Sequence, residues 1–484
     1  MYIIIYSDMY LIFEGGNKMI KSIELDNFKA FKESGRVGLE KINIFVGPNS
    51  SGKSSFIKAL LALRNTVNSN DDETVLDLNE SIGNFKSIIF KNKIKEKIRI
   101  RINLNEINNE KINDGMIGTE ATLKIMNILR SKSKDFESEV FSYLSNLGRN
   151  NNFKKVVFFE FYIKLTKSER IVVEEFNMKY TNGEIIHINM LRNSYYMYYD
   201  EKLIAGANII KPYKFLFKVN PDKINDELDK EELKKIILFE YSIRYVEKQL
   251  REFTINMRHI DPVRNRVKRV EYVTNLKFNN TVGHMGENTI TTLVGLEKNF
   301  KEDSIVSDMK ENINKWIDEF DLGKSISIKK LGNDNYSLYV KNKNTGLDCN
   351  ILDMGVGTSQ LLPIIIESVN SPNNSVLIIE EPESHIHPNA QSKLADLFVD
   401  IVTNQNKKFI IETHSIFLIV KLQILVAQKI IKSQDIGIYY FDQKENGTKV
   451  EKMEMAENGQ FKKPWPSGFF DVQVQLGKLL FQSL

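Results

Sequence analysis

Along the chain, short runs of almost unbroken apolar residues alternate with amphipathic stretches, and the pattern is clearest at the two ends. Lys21–Leu25 and Lys41–Val46 read as strands, and Lys53–Arg64 as a helix directly after the second of them. In the last third the order is Val376–Glu380 (strand), Asn389–Thr403 (helix), Lys408–Glu412 (strand), Ile416–Ala427 (helix) and Ile436–Phe441 (strand), with a further helix starting near Thr358. Strands that are apolar throughout, separated by helices, predict a parallel sheet covered on both faces. Ile326–Lys330 and Tyr336–Lys341 predict a hairpin across Gly332, Asn333 and Asp334.

The middle reads differently. Lys97–Leu104, Val156–Leu165, Arg170–Tyr180 and Glu184–Asn189 alternate apolar and polar positions, as half-exposed antiparallel strands do. Ser131–Leu147 predicts a helix, and Asp226–Thr254 a longer one. In the longer helix Ile236, Ile237, Phe239, Ile243, Val246 and Leu250 recur at helical spacing. It is too short for a long coiled coil and is expected to pack within a compact insertion.

The length of 484 residues implies more than one folded unit. The 27% of charged residues and net charge of +4 fit a soluble protein and neither require nor exclude nucleic acid. With Cys349 as the single cysteine, no intrachain disulfide can form, which fits a reducing, cytoplasmic setting. No apolar run reaches the roughly 20 residues of a membrane span. Residues 1–18 are expected to be a mis-annotated leader, because Glu14–Met19 can be encoded with a GGAGG ribosome-binding element ahead of a start at Met19.

Gly47, Pro48, Asn49, Ser50, Ser51, Gly52, Lys53 and Ser54, followed by Ser55, fit the phosphate-loop pattern G-x-x-x-x-G-K-[ST] between a strand and a helix. Glycines let successive backbone N–H groups turn inward onto phosphate oxygens, and the helix N-terminus adds its positive end. Lys53 is placed to reach the β- and γ-phosphates of ATP, and the Ser54 hydroxyl to ligate Mg²⁺. Val376–Glu380 ends in two adjacent carboxylates, Glu380 and Glu381. Glu380 suits the Mg²⁺ shell, and Glu381 suits the base that orients or deprotonates water. His414, directly after another buried strand, is a candidate γ-phosphate switch. Gly357, Thr358, Ser359 and Gln360 at a helix start form a weaker anion site.

The order of these motifs, with E-E-P-E-x-H-x-H-P and E-T-H-S in the last third, resembles the ABC-type AAA ATPases related to SMC proteins, RecF and the overcoming-lysogenisation-defect (OLD) nucleases. Asn27–Phe31 resembles the NF-K/R-x-F opening of that group, and Pro464–Asp471 resembles a bacterial WPxGFFD ending of unassigned function. The resemblance implies an α/β P-loop NTPase of ABC-ATPase type, its mixed sheet flanked by helices, with a mixed α/β insertion in place of a long coiled coil. Implied parts are an N-terminal ATPase part (residues 19–105), an insertion (106–325), a C-terminal ATPase part (326–445) and a tail domain (446–484). It implies a slow ATPase forming a homodimer around ATP, with Gly357, Thr358, Ser359 and Gln360 touching the γ-phosphate held by the other protomer.

Two features depart from that pattern. Glu380 stands where transporters and SMC proteins carry aspartate, and the first glutamine is Gln249, so no glutamine follows the phosphate loop at the usual distance. His385 and His387 read as a structural loop rather than a metal pair. The basic cluster Asp261–Arg269, with Tyr272 nearby, reads equally as a DNA-phosphate contact or a solvated loop. After His414 there is no D-x-D cluster, and the acids of the tail are scattered, so no nuclease centre is apparent. A separately encoded effector, expected to be a nuclease, follows from this, and resemblance to ATPase subunits of anti-phage systems points to defence. A RecF-like repair ATPase and a non-hydrolysing scaffold remain the other readings.

Overall fold

The computed structural model describes residues 20–105, 119–132, 155–273, 281–299, 304–332, 334–466, 476 and 479–482. At its centre is a six-stranded sheet in the order Met257–Ile260, Val376–Glu380, Lys408–Glu412, Ile42–Val46, Ile436–Lys444 and Gly447–Lys452. Neighbours pair in parallel except the last two, which form an antiparallel hairpin. Ile42–Val46 is buried at every position. Ile42, Ile44 and Val46 join one hydrophobic core while Phe45 joins another, and Leu377 and Ile379 likewise face away from Val376 and Ile378. Alternate residues thus feed two separate cores, which is why these strands read as unbroken apolar runs.

One core holds the helices Val356–Asn370, Pro388–Asn404 and Ile416–Ala427. The other holds Lys53–Asn68 and Lys230–Thr254, and Phe45, Phe56 and Phe441 meet there with ring centroids 5.1 to 6.4 Å apart. Lys230–Thr254 starts four residues later than the sequence predicts, because Asp229 and Glu232 form a reciprocal capping box.

A nine-stranded antiparallel sheet closes that second core. Its main path runs Lys202–Ala205, Ser194–Tyr199, Ile185–Leu191, Ile171–Tyr180, Val156–Leu165, Ile98–Leu104, Ile20–Phe28, Phe31–Glu33, with Val37–Gly38 paired to Ile20–Phe28. The stretch expected as an insertion is therefore not set apart among the described residues. Val156–Leu165 continues the sheet begun by Ile20–Phe28 and Ile98–Leu104, and Met257–Ile260 is an edge of the central sheet. Met257–Ile260 is too short for its periodicity to register.

The predicted hairpin is present as Ser325–Gly332 and Asn335–Lys341, with Glu271–Tyr272 and Asp348–Asn350 added beside it. A helix covers Glu120–Lys132; most of the helix expected over Ser131–Leu147 lies outside the described residues, as do residues 1–18 and 467–475. Among the described residues no helix is long and apolar enough to cross a membrane.

Candidate functional site

The C-terminal ends of the parallel strands gather the chemistry. Leaving Ile42–Val46, the chain enters a loop with Gly47 at φ 145°, Ser50 at φ 60° and Gly52 at φ 105°. A Cβ on Gly47 would lie 2.2 Å from the Phe441 carbonyl oxygen, so only glycine fits there. The hairpin end supports the loop: the Thr448 hydroxyl donates to the Ser51 carbonyl at 2.7 Å. Lys53, 3% exposed, donates to the loop's own carbonyls, Gly47 O at 3.1 Å and Pro48 O at 2.9 Å. Burial lowers its pKa from the ordinary lysine value. The helix Lys53–Asn68 begins here with no side chain capping its N-terminus, and Ser54 and Ser55 stand in its first turn.

Glu380 and Glu412 are opposite each other in register at the ends of neighbouring strands. Ser54 Oγ donates to Glu412 Oε2 at 2.8 Å, and Lys53 Nζ is 3.6 Å from Glu412 Oε1. Burial, reinforced by the neighbouring Glu380 charge, pushes the Glu412 carboxyl up to about 7. Glu381 adopts a left-handed φ of 44°, its N–H donates to the Glu412 carbonyl at 2.8 Å, and Ser384 Oγ donates to its carboxylate at 3.1 Å. Glu383 accepts the His414 N–H at 2.5 Å, which ties the acidic turn to the switch turn, and burial raises its pKa. Burial and then the Lys53 charge lower the pKa of His414.

The phosphate loop, Glu380, Glu381 and His414 are thus brought together. Gly357, Thr358, Ser359 and Gln360 occupy the first turn of Val356–Asn370, where Thr358, Ser359 and Gln360 are buried in their own protomer. Gln360 Nε2 donates to the Arg264 carbonyl at 3.0 Å, and Gly357 lies against the His385 backbone, where an added Cβ would come within 2.8 Å of the carbonyl oxygen. His387 caps the helix Pro388–Asn404 by accepting the Asn389 N–H at 3.3 Å. Gln249, the first glutamine in the chain, is buried inside Lys230–Thr254.

Four residues had no site role in the sequence reading: His259 was not named, Asp261 and Arg264 stood in the basic cluster, and Glu412 stood in E-T-H-S. His259 Nε2 lies 2.7 Å from Glu380 Oε1 and its Nδ1 lies 3.2 Å from Asp261 Oδ1, while His284 Nδ1 lies 2.8 Å from Asp261 Oδ2. His259, Asp261 and Glu380 bring ligand atoms within 4.8 Å of one another. His259, however, offers its two carboxylates opposite ring nitrogens, which one ion cannot bridge; the geometry orients Glu380 instead.

Arg264, read from sequence within a cluster facing DNA or water, is 4% exposed. Its guanidinium donates to the carbonyls of Asp261 and Glu380, both at 3.1 Å, and of Glu381 at 2.9 Å, and burial brings its pKa down to about 10. Arg266, Lys268 and Arg269 are the exposed basic residues of the cluster, and Arg269 pairs with Asp353. Glu412 did leave a signal: it ends a buried strand before Thr413 as Glu380 ends its own.

A family described as an AAA ATPase domain matches residues 19–419, and a second, described as a protein of unknown function, matches residues 431–476. The DNA replication and repair protein RecF of Lactobacillus gasseri is 26% identical over 88 residues, a match of 18% of this chain and 24% of that protein, so it spans about a quarter of RecF. The SMC head domain from Thermotoga maritima is similar at 11% identity and a TM-score of 0.33, over 90% of this chain and 99% of that one. An SMC head domain with extended coiled coil from Pyrococcus furiosus, bound to the C-terminal domain of ScpA, is similar at 10% identity and a TM-score of 0.37, over 96% and 98%. These structural likenesses are too distant to carry an argument about function. The family match alone takes in the phosphate loop, both acidic strands and His414, and the chain belongs to the AAA ATPase domain family.

Proposed function

We propose that the chain is an ATP-driven molecular switch whose two heads close around ATP and whose opening follows hydrolysis. The observation that carries this reading is the convergence of Lys53, Ser54, Glu380, Glu381 and Glu412 at the ends of three adjacent parallel strands, beside an uncapped helix N-terminus. Lys53 clamps the β- and γ-phosphates, with the loop N–H groups around it. The oxygen donors Ser54 and Glu380 are the hard ligands that suit Mg²⁺, which when bound neutralises charge developing on the phosphates. Glu381 holds the attacking water and takes its proton, and His414 senses the γ-phosphate. Gly357, Thr358, Ser359 and Gln360 complete the partner protomer's site, reporting to Glu380 and Glu381 through Arg264.

The OLD-like order of motifs and the scattered tail acids support a two-component system, in which a separately encoded nuclease acts under this switch in anti-phage defence. Phosphodiester cleavage generally needs clustered acids or histidines around metal. The tail 446–484 is a proposed contact for that effector. Its Trp465 stacks edge-on against Tyr440 and Phe461, centroids 6.2 and 5.0 Å away, and Phe469 and Phe470 lie outside the described residues. DNA, through Arg266 and Lys268, is a further proposed partner. The RecF stretch favours one second reading, a repair ATPase working on DNA.

The test is phosphate release from ATP by the purified chain, with a nuclease assay on single- and double-stranded DNA and on tRNA. Hydrolysis that disappears in Lys53→Ala, without cutting, supports the proposal. Cutting that survives stringent purification and disappears in Lys53→Ala would refute the two-component arrangement.

A further inference from the structure

The proposed ATP site explains Lys53, Ser54, Glu380 and Glu381 but leaves Glu412 without a task. Glu412 is 6% exposed and sits between the acidic strand and the phosphate-loop strand. Its two oxygens point at two different partners: Oε1 is 3.6 Å from Lys53 Nζ, and Oε2 accepts from Ser54 Oγ at 2.8 Å. Glu380 stands opposite it in register at the end of the neighbouring strand.

A counter-ion for Lys53 alone needs one oxygen. Here the second oxygen reaches the hydroxyl that stands first in the helix after the lysine. Adjacent oxygens in an octahedral Mg²⁺ shell with bonds of about 2.05 Å stand about 2.9 Å apart. Ser54 Oγ and Glu412 Oε2 are at that spacing, 2.8 Å. With Ser54, the pair Glu380 and Glu412 makes an all-oxygen set of the kind that hard divalent cations select.

We propose that Glu412 is a metal-side carboxylate of the nucleotide site, acting with Ser54 and Glu380 to hold the divalent cation that accompanies ATP. The proposal rests on the reading of this site as an ATP site. It gives Glu412 a role that a structural contact would not have: it governs metal affinity and leaves metal-free nucleotide binding in place.

The experiment uses Mn²⁺ as the probe and the full chain. Bound Mn²⁺ is counted by electron paramagnetic resonance in the presence of a non-hydrolysable ATP analogue, and metal-free binding of a fluorescent ATP analogue is measured in EDTA. Wild type, Glu412→Gln and Glu412→Asp are compared. Glu412→Gln keeps the shape and the Ser54 contact but loses the charge; Glu412→Asp keeps the charge.

The expected result is a loss of Mn²⁺ affinity of at least 10-fold in Glu412→Gln, partial recovery in Glu412→Asp, and metal-free nucleotide affinity within about 3-fold of wild type. Unchanged Mn²⁺ affinity in Glu412→Gln would overturn the proposal, and so would a loss of metal-free nucleotide binding as large as the loss of metal binding. Failure of wild type itself to bind the nucleotide analogue would instead defeat the ATP-site reading, so the two failures are distinct.

Discussion

His259 Nε2 stands 2.7 Å from Glu380 Oε1, across two neighbouring parallel strands, and the same ring is held from behind by Asp261 at 3.2 Å. The contact fixes one carboxylate oxygen of Glu380 and so restrains the orientation of that side chain. Partners of this kind typically account for about 10- to 100-fold in metal affinity or activity. Glu380 is the proposed metal ligand, so His259→Ala is expected to lower the hydrolysis rate about 10- to 100-fold and to raise the Mg²⁺ concentration needed for half-maximal rate. Metal-free ATP binding stays unchanged. A full rate at wild-type Mg²⁺ dependence would show that the contact only packs the edge strand.

Arg264 reaches three backbone carbonyls, those of Asp261, Glu380 and Glu381, and its own carbonyl accepts from Gln360. A lysine has three donors on a single nitrogen but not the planar fork that spreads them over these carbonyls. Each buried acceptor left unpaired costs about 1–3 kcal/mol. Arg264→Met is therefore expected to lower the thermal midpoint and to abolish hydrolysis, with Arg264→Lys intermediate in both. Wild-type stability in Arg264→Met, measured by calorimetry, would contradict the buried placement.

The Glu383 carboxylate accepts the His414 N–H at 2.5 Å, a direct side-chain tie between the acidic turn and the turn that carries His414. Glu383→Ala frees the turn that carries His414. The expected outcome is a fall in hydrolysis rate with ATP affinity within about 3-fold of wild type, as for an interaction formed mainly in the closed state. Equal losses in rate and affinity would place Glu383 in nucleotide binding instead.

Lys407 is 1% exposed, donates to the carbonyls of Ser368 and Val369, and is brought by burial down to about 7. Its unfolded value is near that of a free lysine, about 10.4. Between these values the unfolded chain binds more protons than the folded one, so stability rises with pH from about 7 toward 10, by on the order of 1 kcal/mol per unit at most. Chemical denaturation at pH 7, 8 and 9 is expected to show wild type gaining on Lys407→Met as pH rises. A flat difference would mean that the amine stays charged among those carbonyls.

Much of this architecture can be read from residue order. The central strands are apolar at every position because both faces are covered, and the phosphate loop, Glu380–Glu381 and His414 each follow such a strand directly. What escaped is what comes from strands too short to show a period. Met257–Ile260 delivers His259 and sets Asp261 and Arg264 beside Glu380, yet four residues carry no usable alternation. Arg264 looked like surface charge because nothing local marks a buried arginine; its acceptors lie more than a hundred residues away at Glu380 and Glu381. The hairpins Ser194–Ala205 and Ile210–Val219 went unread because tyrosines and lysines mix along them and blur the apolar/polar alternation.

The central claim is that two heads close around ATP and that Glu381 drives their reopening. The direct measurement is light scattering coupled to size-exclusion chromatography on Glu381→Gln, with and without ATP and Mg²⁺. The account predicts an ATP-dependent dimer that accumulates in Glu381→Gln, is transient in wild type and is absent in Lys53→Ala. A Glu381→Gln protein whose mass is the same with and without ATP, or whose hydrolysis rate equals that of wild type, would contradict it.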